Sequence, residues 1–357
     1  MGESTMTWRS AGRNLHWVAT AILILGLVPV FHHLGLHLQF AWSDNLEDYW
    51  IGLGGLAILG SLFLYGVQFP WDMASLKRSF MTMHAADQSV ASTLKAVILG
   101  ASYLFVGLTL VSAYNDAIVS VRFFGTYDAS ALRVDSWLLG GSSVSAISHW
   151  AVHHLPPAIF IWADRIYFSM FPLAGACFIL LAAKKGTTTA LSYIGTLLTA
   201  YYLALLIFLI IPIEGPFFTC PDHFAVFPGT LTVYGVQKST LAILDRLTRH
   251  APIGPIGFDY WIGFPSLHIA EPIIALWYLR EWKRIASFII IFEIFLAPSI
   301  LLLEQHYLVD LFGGMVMAAV AILIVQGVPL WRLSVSDPRK LDIGRLDAFP
   351  TSSTSPS

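Results

Sequence analysis

Residues 285–328 read IASFIIIFEIFLAPSILLLEQHYLVDLFGGMVMAAVAILIVQGV, and this stretch decides the fold. Two apolar runs are separated only by Glu304-Gln305-His306-Tyr307, so they predict two membrane-spanning helices joined in a tight hairpin. The whole chain agrees, since 56% of its 357 residues are hydrophobic and only 12% are charged. A soluble core cannot bury so large an apolar fraction. The sequence therefore predicts an all-α, multi-pass integral membrane protein.

Eight stretches are apolar enough to be candidate membrane spans. A helix needs about 20 apolar residues to cross about 30 Å of hydrocarbon. The candidates are 15–36, 50–69, 93–113, 158–182, 190–212, 266–280, 285–303 and 308–328. The sixth is short and contains Glu271 and Pro272.

The spans suggest four regions along the chain. We expect a three-helix membrane segment at 1–113, an interfacial loop at 114–157, a catalytic membrane core at 158–330 and a polar disordered tail at 331–357. The close pair Gly313-Gly314 in the last span is typical of close helix packing.

Lysine and arginine predict the orientation, because basic residues concentrate on the cytoplasmic side of membrane proteins. With eight spans, both termini are cytoplasmic, and the catalytic side faces the exterior, the periplasm or a lumen. The long loops 114–157 and 213–265 and the His306 hairpin lie on that side. The clusters that share the cytoplasmic side are Arg9 and Arg13; Lys77, Arg78 and Lys95; Lys184 and Lys185; Arg280, Lys283 and Arg284; and Arg332, Arg339, Lys340 and Arg345.

Two histidines occupy the ends of predicted spans on this same side. His268 closes the segment Phe264-Pro265-Ser266-Leu267-His268, and His306 precedes Asp310 by four residues, one helical turn. A carboxylate on one imidazole nitrogen fixes the tautomer and stabilises the cation, leaving the other nitrogen free to attack. His268 would protonate the leaving oxygen and then deprotonate an acceptor. The alternative is a pair of interfacial histidines beside a packing carboxylate, and the shared membrane side favours the catalytic pair.

These motifs resemble those of a known family. Pro265-Ser266-Leu267-His268 resembles Pro-Ser-x-His, the second signature of the type-2 phosphatidic acid phosphatase superfamily. His306-Tyr307-Leu308-Val309-Asp310 resembles the end of the third signature, in the His-Tyr-x-x-Asp form of the inositol phosphorylceramide synthase and sphingomyelin synthase branch. The likeness covers about residues 125–330. It implies that His306 is the nucleophile, Asp310 its orienting group and His268 the acid/base group, in a core made of the last five spans plus the 114–157 segment.

Two softer elements also resemble the synthase branch, and two signatures depart from the phosphatase branch. Asp135 begins an Asp-x-x-Leu-Phe-Gly-like element, and Glu214 lies in a Pro-x-x-Gly-Pro element. The first phosphatase signature, Lys-x6-Arg-Pro, has no counterpart, and Ile300 stands where the third has arginine. Fewer cations favour a phosphodiester over a phosphate dianion. The residues expected to contact the substrate or its phosphate are Asp135, Glu214, Ser266, Arg165, Lys238, Arg246 and Arg249.

Other histidines have the spacing of zinc ligands on a helix. His149 and His153 are four residues apart, as are His33 and His37, but no Cys or third carboxylate accompanies either pair. Interfacial histidines are the preferred interpretation, and we expect no metal and no cofactor.

The sequence thus favours a lipid phosphotransferase. It would move a phospho-headgroup, phosphoinositol-like by resemblance, from a phospholipid to the hydroxyl of a lipid or polyol acceptor. A lipid phosphatase, with water as acceptor, is the rival among enzymes. A proton-coupled transporter is the rival from another class, disfavoured because the chain has no internal repeat and its histidines lie at span ends. The expected partners are the membrane and its lipids, with no nucleic acid, and the oligomeric state stays open.

Overall fold

A computed structural model describes residues 17–26, 29, 52–68, 87–121, 125–220, 223–227, 229–249 and 262–326. Within these ranges the regular elements are helices and none is a strand, which confirms the all-α prediction. The predicted tail at 331–357 and the pair His33 and His37 lie outside the described residues. The helices are α1 (Trp17–Gly26), α2 (Gly52–Gln68), α3 (Asp87–Val121), α4 (Asp128–Leu138), α5 (Val144–His154), α6 (Pro157–Lys185), α7 (Thr187–Ile210), α8 (Pro216–Thr219), a 3-10 turn (His223–Val226), α9 (Thr232–Thr248), α10 (Leu267–Leu279), α11 (Lys283–Leu302) and α12 (Leu308–Gln326).

Five of the described helices are long and apolar enough to cross a membrane. They are α6, α7, α11, α12 and the part of α3 from Thr93 to Asn115. The shorter apolar helices α1, α2 and α10 coincide with the first, second and sixth predicted spans. The protein is therefore an integral membrane protein, and the count of eight spans stays a prediction.

The short helix α10 lies at the centre of the bundle. It packs against α6, α7, α11 and α12, and its residues Ala270, Ile274 and Ala275 are buried. A helix surrounded on several sides is apolar around most of its circumference, which explains why this sequence lacks a clear polar stripe. Its first turn carries His268 into contact with the loop that joins α11 to α12.

Two stretches predicted as loops contain helices instead. Helix α3 continues past residue 113 to Val121, and the described residues from 125 to 157 contain α4 and α5. The 213–265 stretch contains α8, the 3-10 turn and the 17-residue helix α9. A hydropathy criterion misses α9 because only one face is buried, through Val233, Gln237 and Thr240 at helical spacing.

Candidate active site

Three connecting segments meet at one end of the bundle and form the floor of the site. The Gly263 amide donates to the Ile213 carbonyl at 2.8 Å, and the Phe217 amide donates to the Glu304 carbonyl at 3.1 Å. The Ser266 amide donates to the Asp310 carbonyl at 3.0 Å. These backbone bonds join residues 211–217, 262–267 and 303–310, so the ends of α7, α10, α11 and α12 are held together.

The two predicted catalytic histidines are in direct contact. His268 Nδ1 lies 3.1 Å from His306 Nε2, and the two residues are only 8% and 3% exposed. The two histidines are 38 residues apart in the sequence, and the fold brings them into one hydrogen-bonded pair. The contact brings a possible nucleophile and a possible proton donor to one point.

The surroundings of His306 fix its tautomer. His306 Nδ1 lies 2.8 Å from the Gly263 carbonyl oxygen and 3.4 Å from Asp310 Oδ2. Both neighbours accept hydrogen bonds, so Nδ1 carries the proton and, in the neutral ring, Nε2 keeps its lone pair. The shorter bond goes to Gly263, and Asp310 contacts the same ring nitrogen, as expected for a group that orients this ring. Asp310 also supplies a negative charge beside the imidazole.

Asp310 is also held by its own helix. It is fully buried, and its Oδ2 accepts a hydrogen bond from the Tyr307 amide at 2.8 Å. This bond caps the N-terminus of α12, where an acidic side chain is favoured by the helix dipole. The carboxylate therefore has a fixed position relative to the His306 ring.

Asp135, predicted to contact the substrate, lies instead at the N-terminus of α12. Its two carboxylate oxygens accept hydrogen bonds from the Leu308 and Val309 amides at 3.0 and 3.2 Å, and the residue is fully buried. Burial raises the pKa of Asp135, against the lowering effect of these two bonds. Both oxygens are occupied by the backbone, so this side chain positions the helix that follows His306.

Asp128 repeats this arrangement one segment away. Its carboxylate accepts hydrogen bonds from the Glu214 and Gly215 amides at 3.2 and 2.9 Å. Gly215 has a φ of 122°, a conformation that side-chain-bearing residues rarely adopt, and a Cβ there would lie 2.8 Å from the Gln305 carbonyl oxygen. The Asp128 contact thus fixes the segment on which Glu214 stands.

A cavity of about 100 Å³ opens in front of the histidine pair. Tyr167 of α6 covers one face of His268, with ring centroids 4.5 Å apart and an interplanar angle of 25°. Glu214 lines the cavity, as the sequence predicted for a substrate contact. The other polar lining residues are Ser112, Asn115, Tyr201 and Gln305.

The basic residues proposed as phosphate ligands do not line this cavity. Arg165, Lys238, Arg246 and Arg249 are exposed, and Arg249 forms an ion pair with Asp245 at 2.8 Å. Long cationic side chains at a surface stay hydrated unless a buried partner draws them inward.

Ser266, the remaining predicted contact, is fully buried beside α12. Its Oγ has no hydrogen-bond partner among the described residues. Ser266 is not among the residues that line the cavity, so a substrate contact by this hydroxyl stays a prediction.

Several polar residues of the cavity were not found from the sequence, among them Gln305, Tyr167 and Asn115. Gln305 and Tyr167 lie within residues 125–330, the part of the chain that resembles the known family. Asn115 belongs to α3, which precedes that part. Asn115 is 2% exposed, and its Oδ1 has no partner among the described residues. A buried polar residue at the end of an apolar span is the signal that could have identified it.

The candidate zinc-spaced pair on α5 has no further ligand. The rings of His149 and His153 are 4.7 Å apart in an edge-on arrangement. Within the part of the chain that the structure describes, no group of three His, Cys, Asp or Glu side chains could hold a metal ion.

The comparison with protein families identifies the chain. The model of the PAP2 superfamily matches residues 130–324, more than half of the chain. This protein belongs to the PAP2 superfamily, which makes it a membrane protein of the lipid phosphatase and phosphotransferase kind. Among the curated proteins and among the solved structures, no match was found. Helices α1 to α3 precede the matched region, although α3 lines the cavity.

Proposed function

We propose that this protein transfers a phospho-headgroup from a phosphodiester phospholipid to an acceptor hydroxyl, by way of a phosphohistidine at His306. The observation that carries the proposal is the histidine pair, in which His306 Nε2 lies 3.1 Å from His268 Nδ1 while Nδ1 of His306 is held by Gly263. One nitrogen is thereby kept protonated and the other is left to attack.

The first half-reaction uses both rings. His306 Nε2 attacks phosphorus, the bond to the diacylglycerol oxygen breaks, and His268, entering the step as an imidazolium, gives its Nδ1 proton to that oxygen. A bound phosphodiester anion favours this charged form of His268. The headgroup is left esterified to a phosphohistidine, whose positive ring is stabilised by Asp310 and the Gly263 carbonyl.

The second half-reaction reverses these roles. His268 Nδ1, now without its proton, takes one from the acceptor hydroxyl. The resulting oxygen attacks phosphorus, and the bond to His306 Nε2 breaks. The buried position of both histidines favours an alcohol over water, since bulk water has little access.

The unliganded site is closed, so the substrate has to open it. A phosphoryl group in line between the two nitrogens cannot fit within 3.1 Å, because one N···O hydrogen bond alone takes about 2.7–3.2 Å. We therefore expect the His268 and His306 rings to separate when a lipid headgroup enters.

The lining of the cavity supports the synthase-like substrate class. Within the described part of the chain, its polar residues are hydroxyls, amides, histidines and the carboxylate of Glu214, without lysine or arginine. Such a lining suits a phosphodiester with a polyol headgroup better than a dianionic monoester, and ceramide-like lipids or polyols are the acceptors we propose.

Headgroup transfer from a panel of labelled phospholipids, in detergent with EDTA, tests this function. The wild type should move label to a second lipid, and His306→Ala should lose about 10⁴-fold or more of that rate. His154→Ala is the matched control, because His154 is exposed on α5 and bonds only the Trp150 carbonyl of its own helix. Release of free phosphate from monoesters alone would favour a phosphatase, and equal inertness of wild type and variant would contradict phosphoryl transfer and favour the transporter.

A further inference from the structure

A phosphoryl group bound in the cavity in front of the histidines would require hydrogen-bond donors. If the proposed function holds, phosphoryl oxygens must lie between His268 and His306, and negative oxygens require donors. None of the lining residues that the structure describes is Lys or Arg. Apart from the histidines, the donors among the described lining residues are therefore uncharged groups.

Gln305 has a side-chain donor in the required place. It lines the same cavity as His268 and His306, precedes His306 in the chain, and is only 5% exposed. Its Nε2 is buried without a hydrogen-bond partner in the described part of the chain. A buried donor without an acceptor costs about 1–3 kcal/mol of stability. A bound ligand that supplies the acceptor would account for such a donor at this place.

Tyr167 determines which end of the amide remains for a ligand. The Tyr167 hydroxyl donates to Gln305 Oε1 at 3.3 Å, and the Tyr167 ring stacks on His268. Since the oxygen end of the amide faces this hydroxyl, the NH₂ end is the one that can meet a substrate. Tyr167 thus contacts both the Gln305 amide and His268, the acid/base histidine, and holds them near each other.

We propose that Gln305 is a substrate-binding residue whose Nε2 donates a hydrogen bond to a non-bridging phosphoryl oxygen. An uncharged donor suits the single negative charge of a phosphodiester, because it needs less neutralisation than a monoester dianion. This inference rests on the proposed function and names the group that holds the phosphate.

Two substitutions separate this role from a purely structural one. Gln305→Met keeps the length of the side chain and removes the donor. Gln305→Glu is assayed at pH 9, above the pKa of about 8 that burial gives the neighbouring Glu304, so that its carboxyl group is ionised. In that form it also removes the donor but keeps an oxygen that can accept from Tyr167. A hydrogen bond to a charged group corresponds to about 10- to 100-fold in rate. We expect kcat/KM for the phosphodiester donor to fall by that factor in Gln305→Met, and by at least as much in Gln305→Glu, whose carboxylate repels the phosphate.

Gln326→Met is the matched control, because Gln326 Nε2 bonds the Tyr278 hydroxyl at the far end of α12. It should keep wild-type turnover. Size-exclusion profiles and thermal unfolding establish that the variants are folded, and Gln305→Glu carries the test if the Met variant is not.

Activity of Gln305→Glu near that of the wild type at pH 9 would overturn the proposal, because the residue would then serve only to bond Tyr167. Normal activity of both variants would overturn it as well. In either case loss of transfer in His306→Ala would still support the proposed function, so the two failures are distinguishable.

Discussion

At the scale of single residues, Glu304 is a carboxyl group held in an apolar setting next to the reacting histidine. It is fully buried in the loop between α11 and α12 and has a φ of 57°, which lets the chain reverse direction there. Burial raises the pKa of Glu304 from 4.5 to about 8. At neutral pH the side chain is therefore an uncharged acid.

This raised pKa predicts how stability changes with pH. Because the folded state binds the Glu304 proton more tightly, stability is fully present below about pH 4.5 and falls as the pH rises to about 8. Glu304→Gln has no carboxyl group to titrate at this position. We therefore expect its free energy of unfolding to fall less steeply with rising pH than that of the wild type. The difference in unfolding free energy between variant and wild type should grow by about 1.4 kcal/mol per pH unit in that window. Thermal unfolding in detergent from pH 4 to 9 measures it.

Glu281→Gln is the control for this experiment. Glu281 lies in the connection between α10 and α11, and its hydrogen bond with Lys185 at 2.9 Å lowers its pKa. Its substitution should not produce a stability gain that increases with pH. If the unfolding free energies of Glu304→Gln and wild type change with pH in the same way, Glu304 is not the buried acid that we infer.

Single residues also show what the sequence reveals and what it hides. His306 and Asp310 could be paired from the sequence because four residues make one helical turn. The roles of Asp135 and Gln305 could not, since Asp135 bonds the Leu308 amide across 173 positions and Gln305 meets Tyr167 across 138. Spacing along a helix is local information, whereas these contacts exist only once α4 and α6 pack against the hairpin.

At the scale of helices, the site depends on the close approach of α10 and α12. A Cβ on Gly314 would overlap the Ser266 carbonyl oxygen and lie 2.9 Å from the Ile269 Cβ. The close packing expected for Gly313-Gly314 is thus confirmed, and it places the His268 turn against the helix that begins after His306.

Gly314→Ala is therefore expected to destabilise the protein and to reduce its activity. Overpacking of this kind costs about 1–3 kcal/mol, more than the roughly 1 kcal/mol that alanine gains over glycine within a helix. The displacement should also separate His268 from His306 and lower turnover. Melting temperature and transfer rate, measured on the same preparation, test both effects.

Gly54→Ala on α2 is the matched control, because no atom lies within 4 Å of a Cβ built there. This variant should be as stable as wild type or slightly more so. If Gly314→Ala behaves in the same way, close contact of α10 and α12 is not what holds the two histidines together.

The helices differ in how well the sequence predicts them. The spans α6, α7, α11 and α12 were predicted within a few residues because long apolar runs determine both their position and their length. The helix α9 was missed, since its buried face includes the polar residues Gln237 and Thr240 and no long apolar run marks it. That α3 lines the catalytic cavity could not be predicted, because its contacts with α7 and α6 are set by tertiary packing.

At the scale of the whole molecule, the two ends of the bundle differ in charge. The end with the catalytic cavity carries Asp128 and Asp135, both buried. At the opposite end Lys185 pairs with Glu281, and the Arg284 amide donates to Gln68 at 3.2 Å. The clusters Lys184-Lys185 and Lys283-Arg284 lie at this opposite end, whereas Arg133 and Arg165 lie singly towards the catalytic end. The positive-inside rule associates such basic clusters with the cytoplasm.

This asymmetry predicts that the catalytic end faces away from the cytoplasm. Ala146 on α5 and Thr188 in the first turn of α7 are exposed at the catalytic and opposite ends, respectively. In a Cys220→Ser background, with Cys177 buried, single cysteines at these positions can be labelled on intact cells with a membrane-impermeant thiol reagent. Ala146→Cys should react at once and Thr188→Cys only after permeabilisation. The opposite pattern would place the histidine pair on the cytoplasmic side, and the donor lipid would then be drawn from the inner leaflet.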